Sequence, residues 1–296
     1  MQATIRWITL LSLVLIATPS LAQDSAQGLD EEYTAEIRKH TTDDYFSTPY
    51  VDHLPASETV PTPLDVLGRI TGAPDELSYS HEVHKYMRAL ADATPRVAVF
   101  DGGISEEGRE MILVAVGSDE AIANLQKYKK ISNRLADPRK ISDEEAAQLI
   151  EEAKPIYWCT GAMHATETGA PEMLMELVYR IAVEETEFVQ AIRDNMIVLV
   201  TPVLDVDGRD KRVDLLKLEQ HESNPRVPRL LYWGKYVAHD SNRDNMGLSL
   251  QLSKHIVQTF MDYKPQVMHD LHESASHFVR LNWYGALQRL GRSHLD

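Results

Sequence analysis

Apolar positions along the chain fall into different rhythms, and the switches between them outline an architecture. Residues 23 to about 75 show no sustained rhythm. They are polar and punctuated by Pro49, Pro55, Pro61, Pro63 and Pro74, which predicts an extended lead-in with little regular structure. From residue 80 to 93, Val83, Tyr86, Met87, Leu90 and Ala91 recur near helical spacing, which predicts a helix capped by Ser80. Apolar runs at 96–100 and 111–116 predict two strands, with Gly102 and Gly103 forming a turn between them. The charged run 121–153, broken at Pro138, reads as a helix-rich surface insertion.

From Pro155 onward the rhythm becomes strand, helix, strand. Strands are predicted at 156–159, 196–200 and 266–271, and helices at 171–183 and 246–263. Continuous apolar strands alternating with helices predict an α/β fold: a mostly parallel or mixed central sheet with helices on both faces. The division expected is a leader at 1–22, the lead-in at 23–75 and one domain at 76–296.

The leader reading rests on Arg6, the apolar stretch 7–17 and the small residues of Pro19-Ser20-Leu21-Ala22. That pattern predicts cleavage near Ala22 and a secreted or periplasmic protein. The apolar stretch is shorter than the ~20 residues that span a bilayer, and no later run reaches that length, so no stable membrane insertion is expected after the leader is removed. A formal net charge of −15 argues against nucleic acid or anionic membrane as partner, since both would repel the chain. The single cysteine, Cys159, sits in an apolar run and reads as a small buried hydrophobe, leaving no internal disulfide to hold the fold together.

In such sheets ligands bind beyond the carboxyl ends of the strands. His164 and Glu167 lie in the loop between a predicted strand and a helix that has Pro171 in its first turn. His272 ends the strand that begins near Gln266, with Met268 and Asp270 on the same face by alternation. Two histidines and one carboxylate leave the fourth position of a tetrahedral zinc for water, the pattern of a catalytic site. A lone His-x-x-Glu recurs by chance, so the wider pattern matters.

In that wider pattern the chain from about Ser80 resembles the zinc carboxypeptidase family of the carboxypeptidase A and B type. The landmarks follow in order: a strand into His164-Ala-Thr-Glu167, the strand 197–200 into Pro202-Val-Leu-Asp205-Val-Asp207-Gly208, then Asp240-Ser-Asn242-Arg243, and the strand-borne His272. The resemblance implies a zinc-dependent metallocarboxypeptidase that hydrolyses the C-terminal bond of a peptide or protein with a free carboxylate. It implies one Zn2+ on His164, Glu167 and His272, and capture of the substrate carboxylate by Asn242 and Arg243. It also implies that Asp240 orients His164, and that Arg226 or Arg229 steadies the oxyanion. Beside these roles stand plainer ones: Asn242-Arg243 as a solvated loop, Asp240 as cap of a helix near Asn245, and Asp205 and Asp207 as shapers of a turn before Gly208.

One departure cuts against the family pattern. The family's general base is a glutamate well beyond the third ligand, and no glutamate follows Glu273 here. The catalytic base is therefore missing from this chain, which reads as a C-terminally truncated piece with an unpaired sheet edge. Strand alternation turns Glu273 away from the face of His272, so it is not expected to substitute. His272 and His277 are five apart and do not fit the i, i+4 spacing of helical zinc proteases, while His81 and His84 suit an exposed helix face. Two alternatives remain: a zinc deacylase or amidase acting on small acylated amino acids or cell-wall peptides, and a non-catalytic zinc- or peptide-binding fragment.

Overall fold

Five strands pair into one sheet, and its three inner strands are apolar because they bury both faces at once. The computed structural model describes residues 27–221 and 239–273. The leader, Arg226, Arg229, His277 and the tail lie outside these residues. The chain enters through α1 (Glu31–His40), capped by Asp30, then α2 (Pro63–Leu67) and α3 (Ser80–Ala93). Next come β1 (Val97–Ile104) and β2 (Glu110–Val116), followed by α4 (Asp119–Ala123), α5 (Leu125–Leu135) and α6 (Asp143–Glu152). β3 (Ile156–Gly161) leads into α7 (Gly169–Val183), and α8 (Glu187–Asn195) into β4 (Ile197–Thr201). Last are α9 (Val206–Glu219), α10 (Gln251–Tyr263) and β5 (Val267–Leu271).

The strand order is β1-β2-β4-β3-β5. β1 pairs with β2 and β2 with β4 antiparallel, whereas β3 pairs with β4 and with β5 parallel. The sheet is therefore evenly mixed rather than mostly parallel, and among the described residues β5 forms one edge. α7 packs against the face where Gly161 lies, its Leu174 Cδ1 filling the space a Cβ would need. On the opposite face α10 brings His255 to Thr201 (3.4 Å) beside Trp158, which is fully buried. Burial of the continuous apolar strands on both faces supplies the main favourable term for the fold.

Several expectations need correcting. The segment predicted as a featureless lead-in carries α1 and α2, and Tyr33, Ile37 and Leu54 are in the core. Its prolines hid this, because they sit in the connections and at the first position of α2, where proline costs nothing. Ser80 is the first helical residue of α3 rather than its cap; the Glu82 carboxylate instead accepts from Tyr79 N (2.8 Å). Gly102 and Gly103 lie within β1 at a register shift, not in a turn. A Cβ on Gly102 would stand 2.8 Å from His255 Cε1, so the close approach of α10 requires glycine there. α10 starts at Gln251, later than its apolar rhythm suggested, because the Asp244 carboxylate captures the Ser249 and Leu250 amides (3.2 and 2.9 Å). His84 is buried, not exposed, and burial pushes its imidazole down to about 4. Among the described residues no helix is long and apolar enough to cross a membrane.

Candidate metal centre

Three chain segments meet where β3 and β5 end. β3 stops at Gly161, and Ala162 takes a left-handed φ of 52° that swings the chain out of the sheet. The amides of Leu204 and Asp205 donate to Gly161 O and Ala162 O (2.8 and 3.0 Å), so the loop after β4 braces the loop after β3. Glu167 N donates to His164 O (2.9 Å), closing a turn that puts the two side chains together. The third segment arrives through Ser241, whose hydroxyl donates to Met163 O (2.9 Å).

On this frame His164, Glu167 and His272 each offer one donor atom, all within 4.8 Å of one another, and each residue is half-buried. The Glu167 carboxylate divides itself between the rings: Oε1 lies 2.8 Å from His164 Nδ1, and Oε2 lies 2.9 Å from His272 Nδ1. The rings are 4.8 Å apart between centroids. Both Nδ1 atoms thus face one point, and both Nε2 atoms face outward. His164 Nε2 meets Asp240 Oδ1 (3.0 Å). His272 Nε2 has Asp270 Oδ2 at 2.8 Å and Asn242 Nδ2 at 3.4 Å. A ligand histidine braced on its far nitrogen by a carboxylate keeps the near lone pair aimed inward, as zinc requires. Burial works against a charged ring at His164, but the bonds to Glu167 and Asp240 outweigh it and hold its pKa above the ordinary value. Two imidazoles and a carboxylate, converging and braced, fit zinc with an open position.

The neighbouring residues take definite places. The same Asp240 Oδ1 that meets His164 also accepts from Asn242 N (2.9 Å) and caps the short turn Ser241–Arg243; it does not cap a helix near Asn245, since the next helix starts at Gln251. Arg243 is exposed and donates to Asn242 O (2.9 Å). Asp205 and Asp207 do more than shape a turn: Asp205 caps α9 by accepting from Gly208 N (2.8 Å), and Asp207 accepts from Arg109 and from the Ser105 hydroxyl (both 2.7 Å). Gly208 lies inside the first turn of α9 because a Cβ there would stand 2.6 Å from Ala165 Cβ. Cys159 is buried, and burial pushes its thiol up to about 12, in keeping with a small core residue held as the neutral thiol. Glu273 turns to the start of α7, where Gly169 N donates to its Oε1 (2.6 Å). Alternation had placed Asp270 on the face of His272 without giving it a role, and the structure sets its Oδ2 2.8 Å from His272 Nε2.

The mixed α/β sheet carries a His-Glu-His cluster that could hold a metal ion at its strand ends. A model of the zinc carboxypeptidase family matches residues 83–273, well over half of the chain. The chain belongs to that family. Among solved structures it is similar to carboxypeptidase A from Helicoverpa armigera (16% identity, 68% of this chain and 46% of that one, TM-score 0.44). It is also similar to a metallo-carboxypeptidase from Burkholderia cenocepacia (16% identity, 66% and 41%, TM-score 0.43) and to thrombin activatable fibrinolysis inhibitor (13% identity, 81% and 54%, TM-score 0.45). The chain spans about half the length of these structures. No curated protein matches it.

Proposed function

We propose that this chain carries the zinc centre of a metallocarboxypeptidase, with His164, Glu167 and His272 as ligands and a peptide bearing a free C-terminal carboxylate as substrate. The observation that carries this reading is the convergence of three donor atoms within 4.8 Å, with His164 held from behind by Asp240. A zinc ion held there supplies Lewis-acid polarisation of a carbonyl and activation of water. Asn242 stands beside His272, so a carboxylate bound by Asn242 and Arg243 would lie next to the scissile bond. The Arg243 guanidinium presents a fork of donors that matches a carboxylate in two parallel bonds. Arg226 and Arg229 are retained as candidates for steadying the oxyanion. Glu273 is given no part in proton transfer, because its carboxylate is engaged at the α7 amides. The leader reading supports action outside the cytoplasm.

Metal analysis of the purified chain, combined with hydrolysis of one peptide in free-acid and C-terminally amidated forms, tests the proposal. One zinc per chain and turnover of the free acid alone is the expected result. Zinc without turnover would leave a binding module, and turnover of small acylated amino acids in preference to peptides would favour the deacylase. A chain without stoichiometric zinc sinks all three.

A further inference from the structure

We propose that Glu273 is a positioning residue that locks the two ligand-bearing segments to each other through a single peptide group. This deepens the metal-centre reading and rests on it. The peptide joining Thr168 to Gly169 follows ligand Glu167 immediately. Its N–H donates to Glu273 Oε1 (2.6 Å), and Glu273 follows ligand His272 immediately. Its carbonyl accepts from Arg209 Nη1 (2.9 Å), a fully buried side chain of α9. Both poles of one peptide are therefore held by side chains, a carboxyl oxygen at the N–H and a guanidinium at the C=O.

The arrangement suits the physics on each side. The peptide opens α7, whose first N–H groups lack helical partners and carry the positive end of the helix dipole, so a carboxylate is the natural acceptor. Arg209 is fixed in turn: its Nη2 donates to Glu172 Oε1 (2.6 Å) and its Nε to Ser78 O (2.8 Å). The bonds that the Arg209 cation donates in this water-poor setting are strong, and successive bonds polarise one another along the row. The row runs from α9 through the start of α7 to the tip of β5. It fixes how far Glu167 stands from His272, which no bond between neighbouring strands does, because Glu167 lies in a loop.

The test compares Glu273→Ala with Glu273→Gln in the full chain. The glutamine keeps an oxygen that can accept from Gly169 but cannot take a proton from water. Zinc affinity is read by chelator competition, and exchange of the Gly169 amide is read on the zinc-free chain, with Leu199 of β4 as the internal reference. The expected result for Glu273→Ala is a zinc Kd raised roughly 10–100-fold. Gly169 exchange should be faster by roughly 10–100-fold while Leu199 is unchanged. Glu273→Gln should stay within a few-fold of the unaltered chain in Kd and in any turnover. Three results overturn the proposal: unchanged zinc affinity in Glu273→Ala, acceleration of Leu199 in step with Gly169, or a Glu273→Gln chain that binds zinc normally yet loses turnover. If the unaltered chain binds no zinc, the metal centre fails, while Gly169 exchange still reports on the clamp by itself.

Discussion

Glu167 joins the two histidines by giving one carboxylate oxygen to each, so removing any of the three side chains leaves the others without a centre. His272→Ala is expected to reduce zinc from one per chain to background, as measured by plasma emission analysis of dialysed protein. Retained zinc in that variant would contradict the ligand set. Asp205 offers a prediction separate from the metal. Burial raises its carboxyl to about 7, against the favourable bond from Gly208 N. Because the folded pKa lies above the unfolded ~3.9, the native chain holds the proton more tightly between these values. Stability is therefore lost as pH rises from about 4 to about 7, by up to ~1.4 kcal/mol per pH unit from this group. Asp205→Asn keeps a capping oxygen and removes the ionisation. Its stability relative to the unaltered chain should climb with pH across that window and level off above it, in urea melts taken at several pH values.

At the scale of elements, α7 is the member on which the site depends, since its first turn follows Glu167 and its flank carries two buried acids. Glu172 accepts from Arg209 Nη2 (2.6 Å), Ser78 N (2.7 Å) and Ser78 Oγ (3.0 Å). Glu172→Ala strands the Arg209 cation in the core and should cost ~3–5 kcal/mol in urea unfolding. A loss below 1 kcal/mol would show that the pair is not what couples α7 to α9. The contact between the loop after β3 and the first turn of α9 is equally close. Gly208→Ala places a methyl 2.2 Å from Asp205 Oδ2 and 2.6 Å from Ala165 Cβ. Overpacking of that kind should destabilise by ~1–3 kcal/mol and weaken zinc binding together, because Ala165 lies between the two ligands of the loop. The pairing of both losses in one variant is the check.

Over the whole molecule, the segment before α3 works as a brace behind α7. Tyr33 OH and Thr71 Oγ1 both donate to Glu176 Oε1 of α7 (2.8 and 2.9 Å), and Tyr179 OH donates to Pro55 O (2.8 Å). A chain lacking residues 27–75 would expose the back of α7 and leave Glu176 without these donors. It is expected to lose its cooperative thermal transition, and a sharp transition at the original temperature would refute the bracing role.

The apolar rhythm alone was enough to locate the five strands, α3 and α7, because burial on both faces imposes continuous apolar runs and helical packing imposes its own spacing. The spacing of His164 and Glu167 and the strand alternation before His272 pointed to one rim, and the ordered landmarks of the family resemblance were needed to single them out from chance pairs. What sequence could not determine lies in groups that carry no rhythm. α9 went unread because few of its residues are apolar and buried, and α1 because only Tyr33, Thr34 and Ile37 of its ten residues are buried. Pairing directions are likewise absent from a one-dimensional pattern, since β2 is equally apolar whether it runs with or against β4. Only the tertiary structure decided that one peptide lies between Arg209 and Glu273, and that Asp244 holds back the start of α10. Those contacts join residues far apart along the chain, and hydrogen bonds across such separations leave no periodic trace.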